Sequence, residues 1–328
     1  MIHGLPLLWN HSVSELYEDS QLLTGSLLLL ILCIQPMLYL LKTSNFETFY
    51  YVHIVNYVSI MYIAVLHEAE LIFLFGVLWL IDIFIRYVYT STQIEIQLKL
   101  SSCQQFIELS YAATSPYKAS QYAFLMLPDI SYFESHPFSY VSSSTDHLVK
   151  HIVKVQGSWT RKLRDLAKSQ AKIHGFVESP YGGLPWPLQR FKVFVLISGG
   201  IGCTPNISIL KQLVHLEAQG HRFLRIEFLW TLRERDANLI DMVDIPTLST
   251  LSDTERGTSS ADSAHPETTL NTEIYFTQPR SLNRSDSDSP SFNGIRHFSR
   301  RLDISESLSR VAKYAEAQVH SSCRNHFD

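Results

Sequence analysis

Gly199, Gly200 and Gly202 sit in the run FVLISGGIGCTPNISIL, Phe194 to Leu210, where an apolar stretch of strand type feeds a Gly-Gly-x-Gly-x-Thr-Pro turn and then an apolar stretch of helical type. Such a turn lets backbone N–H groups approach a pyrophosphate, and a helix starting near Thr204 and Pro205 turns its positive end toward the same point. The same residues also make an ordinary strand-to-helix connection, so the turn is read both ways. Arg233, in WTLRERD, follows a second strand-like run, FLRIEFLW, at the sheet edge where a ribose 2′-phosphate would lie. An arginine simply solvated at that edge fits equally.

His53 and His67 stand fourteen residues apart in one apolar stretch. On a helix that separation is ~21 Å of rise and ~40° short of four full turns, so both imidazoles project from nearly one face at different depths. Ionisable groups in an apolar span are candidates for function, and two histidines so placed can each give an axial ligand to a stacked pair of haems. The other reading is a His67 at the interface and a His53 bonded to a neighbouring helix.

His136, Pro137, Phe138 and Ser139 form HPFS at the end of a strand-like stretch. A serine hydroxyl with adjacent N–H groups can hold a flavin while a neighbouring ring packs on it; a proline-terminated strand turn is the plainer alternative. Lys154 and the helix start near Thr160 then offer a cation and free N–H groups to a pyrophosphate. ESPYGG, Glu178 to Gly183, reads as a turn joining two domains, with glycines that permit close approach of a dinucleotide.

The elements that must position these residues follow from composition. The chain has 328 residues and a net charge of −4, enough for about two domains and with nothing that suggests nucleic acid. Residues 22–41 carry no charge, and the stretch from Phe49 to Tyr89 is almost as apolar. Spans are expected at about 22–41, 48–67 and 71–89, each long enough to cross a bilayer. The start, MIHGLPLLWNHS, lacks the basic region of a cleaved signal, so the spans are expected to be kept. Lys42, Arg86 and Lys99 mark one set of span ends, and Glu15, Glu18, Asp19, Glu68 and Glu70 the other, which predicts a cytosolic C-terminal part.

From about Ile94 to Ser179 short alternating runs (IEIQLKL, QYAFLML, HIVKV) predict a small antiparallel barrel, interrupted by a helix over Trp159 to Gln170. From Phe191 strand and helix alternate, which predicts a parallel α/β unit. Residues 248–298, rich in Ser, Thr, Asp and Asn, predict an inserted loop ordered only around Glu273 to Thr277. Cys33, Cys103, Cys203 and Cys323 are scattered singly, with no disulfide framework or zinc spacing.

Paired histidines in a span, HPFS, G-x-W-T before a helix, E-x-P-Y-G and GGIGCTP, in this order, resemble the ferric reductase and NADPH oxidase superfamily of membrane flavocytochromes b. The likeness runs from Ile2 to about Asp303. It implies a multi-domain fold: an α-helical transmembrane haem-binding region at 1–92, an antiparallel β-barrel FAD-binding domain at 93–188, and a ferredoxin reductase-like α/β NADPH-binding domain at 189–328. It implies haem b iron ligands at His53 and His67, with His3 matching the outer ligand of an earlier span. It also implies FAD contacts at His136, Pro137, Phe138, Ser139, Lys154 and Thr160, and NADPH contacts at Gly199, Gly200, Gly202, Thr204, Pro205 and Arg233. Electrons would pass from NADPH through FAD and haem to an acceptor outside the membrane.

The chain departs from the family pattern in three places. A second inner histidine is not found, Ile83 stands between Asp82 and Arg86 where an arginine is usual, and the C-terminal Cys-Gly-Pro strand is not present. Shortening at both ends is therefore expected. The short outward loop after His67 points to reduction of ferric or cupric chelates; a superoxide-forming oxidase and a non-catalytic remnant are the alternatives. Whether a second copy or a regulatory subunit joins it is left open by these residues.

Overall fold

The computed structural model describes residues 20–40, 42, 46–132, 134–246, 269–277, 289–292, 295–298 and 302–324. The chain divides into two compact units, Met1–Thr90 and Ser91–Asp328.

The first unit is helical: α1 (Ser20–Tyr39), α2 (Phe46–Leu66) and α3 (Glu70–Ile85). Uncharged leucine-rich sequence satisfies its backbone internally as helix whether or not water is present. Among the described residues α1 and α2 are long and apolar enough to cross a membrane; α3 is shorter. The expected third span over 71–89 falls on α3 and the turn that follows it, with α3 an apolar helix over Leu71–Ile85. α-Helical geometry stops at Ile85, and Arg86–Thr90 widens into a π-helical turn in which Thr90 Oγ1 donates to the Arg86 carbonyl. Leu30, Val55, Tyr62 and Phe75 each expose more than half of their surface.

The second unit begins with a six-stranded antiparallel sheet built from β1 (Ser91–Leu100), β2 (Phe106–Ala112), β3 (Tyr122–Met126), β4 (Ser135–Ser139), β5 (Leu148–Lys154) and β6 (Lys172–Tyr181), in the order β4-β3-β6-β1-β2-β5. Alternation in β1 sends Ile94, Ile96 and Leu98 inward, where they meet Ile107, Leu109, Leu125, Val153 and Val177. Each such side chain is worth about 1.5–3 kcal/mol of apolar burial. The sheet nearly closes on itself just past β4, where Val141 N donates to the Lys150 carbonyl and Lys150 N to Ser142 Oγ. Helix α4 (Ser158–Ser169) plugs the barrel with Trp159 and Leu163.

A second sheet joins β7 (Val193–Gly199), β8 (Arg225–Arg233), β9 (Thr269–Thr277), β10 (Ser289–Phe292) and β11 (Ile295–Phe298) in the order β10-β11-β9-β8-β7. β7, β8, β9 and β11 run parallel, and β10 is antiparallel. Helix α5 (Thr204–Ala218) follows β7, and α6 (Ile304–Arg324) follows β11. Outward-facing Ile152 and Val141 of the barrel share a core with Cys203, Ile207 and Leu210, so the two sheets pack as one body.

The stretch 248–298 holds more order than its composition predicts. β9 begins at Thr269, and β10 and β11 add two strands beyond it. The reason lies in pairing: β9 is hydrogen-bonded on both sides, and its polar side chains satisfy one another and their neighbours. Asn271 Nδ2, for example, is 2.7 Å from Glu227 Oε2.

Candidate functional site

At the end of β7 the backbone leaves the sheet through a 3₁₀ turn, Gly200–Cys203, and enters α5 with Pro205 in its first turn. Gly200 has φ +50°, a left-handed conformation that only glycine adopts without strain. Nothing lies within 4 Å of the position a Cβ would take at Gly199, Gly200 or Gly202. The glycine surface is therefore open, as a cradle for a pyrophosphate needs to be. Trp230 Nε1 holds the Gly200 carbonyl at 2.9 Å, and Asn206 Nδ2 holds Ile197 O at 3.0 Å and Ser198 Oγ at 2.8 Å. Neither clamp was legible as a site residue, because each lies within a run that reads as ordinary strand or helix. Thr204 is buried beside the turn. Cys203 is buried too, and burial pushes its thiol up to about 12, which leaves it a packing residue.

Arg233 ends β8 and is exposed. In the parallel ladder Gly199 pairs with Thr231, so Arg233 projects from the same C-terminal edge two residues beyond the glycine turn. That is where open α/β sheets take ligands.

HPFS does not follow a strand; it is the strand β4, at the edge of the barrel sheet and paired with β3. Proline is tolerated there because an edge strand has a side with no ladder to donate to. Alternation sets His136 and Phe138 toward Trp159 of α4, with ring centroids 4.5 Å and 5.8 Å away. His136 Nε2 and Trp159 Nε1 are buried and have no hydrogen-bond partner; the nearest carboxylate, Glu134, lies 3.8 Å from that imidazole nitrogen. Burial lowers the His136 pKa, opposed by Glu134. Two unsatisfied ring nitrogens in one aromatic cluster beside an edge strand fit a neighbour with polar edges, and FAD is such a group. Ser139 lies further along the strand, its carbonyl 3.0 Å from His151 Nδ1. His151 and Tyr111, which support that carbonyl from inside the barrel, carry no local sequence signal beyond their inward register.

Two expected FAD contacts are otherwise engaged. Lys154 is not a free cation: Nζ is 2.7 Å from Asp236 Oδ2, in the turn that follows Arg233. Thr160 turns its hydroxyl back to accept from Gln156 N and Gly157 N, each at 2.9 Å, so it caps the start of α4. In ESPYGG the first four residues continue β6 as strand; the turn begins at Gly182 and Gly183, both at positive φ. Glycine turn, Arg233 and the β4–α4 cluster all belong to the second compact unit.

In the first unit His53 lies within α2 and His67 just past its end, and both face α1: His53 Nδ1 is 3.4 Å from Gln35 Oε1, and His67 Nδ1 is 3.0 Å from Thr24 Oγ1. His67 packs so closely that a Cβ at Gly25 would lie 2.9 Å from Cε1 and 3.4 Å from Nε2. Among the described residues neither imidazole has a second one opposite, so α1 and α2 do not of themselves form a bis-histidine haem cradle. His3 lies outside the described residues.

Residues 92–199 match the FAD-binding domain family, and residues 191–320 match the ferric reductase NAD binding domain family. The chain is similar to Ferric reduction oxidase 7, chloroplastic, of Arabidopsis thaliana, with 31% identity over 238 residues, 64% of this chain and 32% of the relative. It is also similar to Putative respiratory burst oxidase homolog protein J of the same plant, with 32% identity over 132 residues, 30% of this chain and 14% of the relative. The matches thus span no more than about a third of either relative's length. Among solved structures, a ferredoxin NADP+ reductase from Neisseria gonorrhoeae with bound FAD and NADP aligns at a TM-score of 0.44 and 19% identity, covering 70% of this chain and 80% of that one.

Proposed function

The chain belongs to the ferric reductase and NADPH oxidase superfamily, and from that premise we propose that it is a multi-pass membrane oxidoreductase that moves electrons from cytosolic NADPH through FAD toward an external ferric chelate. The observation that carries this reading is the placement of an open glycine turn and Arg233 on one sheet edge, in the same compact unit as an aromatic cluster with two unsatisfied ring nitrogens.

FAD, when bound, supplies the chemistry that takes up a hydride and releases its electrons singly. The chain's own residues hold and exclude. The glycine turn and the start of α5 receive the nicotinamide nucleotide's pyrophosphate, and Arg233 receives the 2′-phosphate. His136, Phe138 and Trp159 enclose one side of the flavin nucleotide, while Ser139 meets it at the strand end. Two long apolar helices with outward-facing Leu30, Val55 and Tyr62 support residence in a bilayer, and Lys42, Arg86 and Lys99 support a cytosolic second unit; the plasma membrane is the membrane the reading assigns. His53 and His67 are the residues toward which the family's haem b reading points, each with Nδ1 held by a side chain of α1.

The test is NADPH-driven reduction of a ferric chelate by membranes bearing the full chain, resistant to superoxide dismutase. The second reading, superoxide formation, is favoured by likeness to a respiratory burst oxidase homolog. Superoxide release that persists without iron would replace the first reading with the second. Flavin-loaded membranes that do neither would sink both.

A further inference from the structure

Lys154 ends β5, its Nζ lies 5.6 Å above the Phe106 ring, and it is mostly shielded from solvent. Its partner Asp236 comes from the turn after β8, three residues after Arg233, and is almost wholly buried. Asp236 Oδ2 takes the ammonium at 2.7 Å, while Asp236 Oδ1 is buried with no hydrogen-bond partner. Among the described residues Lys154 is thus the one cation on this carboxylate.

We propose that Asp236 sets flavin affinity by competing with the FAD pyrophosphate for Lys154, and so couples flavin binding to the segment that carries Arg233. This rests on the proposed flavin function together with the sequence expectation that Lys154 faces the flavin pyrophosphate. A pyrophosphate approaching an ammonium already neutralised at 2.7 Å gains little net attraction and meets a carboxylate of its own sign in a shielded place, where charges interact strongly. When Lys154 turns to the pyrophosphate, Asp236 loses its counterion with neither oxygen otherwise satisfied. The turn Glu234–Leu239 then loses a tie to the barrel. By linkage, anything that strengthens that tie weakens flavin binding by the same factor.

The experiment measures FAD dissociation constants by quenching of flavin fluorescence for the full chain in detergent, with D236N, D236E, K154M and the double variant K154M/D236N. The expected results are at least fivefold tighter binding by D236N, near-native binding by D236E, weaker binding by K154M, and a clearly smaller gain from D236N once K154M is present. A merely structural Asp236 would weaken binding when changed and would do so with or without Lys154. Binding by D236N equal to or weaker than the native chain's, with K154M still weaker, overturns the competition and leaves the flavin site standing. Native affinity in K154M overturns both, because Lys154 then has no part in holding flavin. Should D236N not fold, D236S removes the same charge and carries the same comparison.

Discussion

His151 Nδ1 lies 3.0 Å from the carbonyl oxygen of Ser139, and this single contact fixes the protonation of a buried ring. A carbonyl only accepts, so Nδ1 carries the proton and Nε2 accepts from the Tyr111 hydroxyl at 2.9 Å. The bridge ties β5 to the end of β4 across the gap where the barrel nearly closes. Burial pulls the His151 pKa down to about 4, against backbone contacts that raise it. In the unfolded chain the ring titrates near 6.5, so between those values the unfolded state binds the extra proton. Stability from this neutral ring is complete above about pH 6.5 and is lost as pH falls toward 4, on the order of 3 kcal/mol in all. H151F should be less stable at pH 7.5, because it orphans a hydroxyl and a carbonyl at about 1–3 kcal/mol each, and should show a shallower loss from pH 6.5 to 4. Denaturant unfolding followed by tryptophan fluorescence at several pH values measures both. Parallel pH profiles for the two proteins would refute the assignment.

The glycine turn separates two roles that one motif usually merges. Gly200 has φ +50°, so G200A carries left-handed strain of about 1–2 kcal/mol without any clash. Gly202 lies outside that region and a Cβ there meets nothing within 4 Å, so G202A should keep its melting temperature. Both methyl groups should still raise KM for NADPH, by roughly tenfold or more, if backbone approach to a pyrophosphate is what the turn provides. A G202A enzyme with native KM would show the turn to be a plain strand-to-helix connection.

Glu273 is fully buried at the centre of a charge cluster: Arg296 and Arg310 each reach it at 2.8 Å, Asn271 at 3.2 Å and the Tyr275 hydroxyl at 2.6 Å. Burial pushes its carboxyl up, but the hydrogen bonds from Tyr275, Arg310 and Asn271 outweigh that and hold it below the ordinary carboxylate range. Glu227, also fully buried, shares Arg310 at 3.8 Å. These contacts help fasten α6, whose inward residues are Ser307, Arg310, Val311 and Tyr314, the last with its ring 4.5 Å from Arg225 Cζ. E273A should cost about 1–3 kcal/mol, since it removes hydrogen bonds to two charged groups that keep more than a third of their side chains in solvent and retain Asn271 and Glu227 as partners. Hydrogen exchange over residues 304–316 should rise more than exchange over β7. Equal protection in both places would mean that α6 is held by something else.

What the sequence showed and what it hid divide along local and non-local lines. Inward alternation in β1, the helix over α4 and the glycine turn before α5 were legible because period and turn chemistry are local properties. The first residues of β9, Thr269 to Asn271, were hidden, because TLN reads as loop until Glu227 arrives from another element to take the Asn271 amide. Lys154 was legible as a cation near a helix start, but its partner Asp236 is 82 residues away and no spacing announces it. Trp159 stood inside a quoted motif, yet only the register of β4 shows it packed against His136 and Phe138.

Arg233 is the residue on which nucleotide choice should turn. It is exposed at the C-terminal edge of β8, paired in the ladder with Thr277 and close in register to the Gly199 turn. A guanidinium there can grip a 2′-phosphate bidentately, whereas a ribose hydroxyl offers it nothing comparable. R233A should therefore lower kcat/KM for NADPH by about ten- to a hundredfold, 1.4–2.7 kcal/mol of transition-state stabilisation, and leave kcat/KM for NADH within about a factor of two. R233K should fall between, because an ammonium keeps the charge but not the fork. Steady-state dye reduction with each nucleotide on the same flavin-loaded preparation gives the comparison. Equal losses with both nucleotides would place Arg233 in folding or flavin binding instead, and unchanged values with both would leave it a solvated residue at the edge of the sheet.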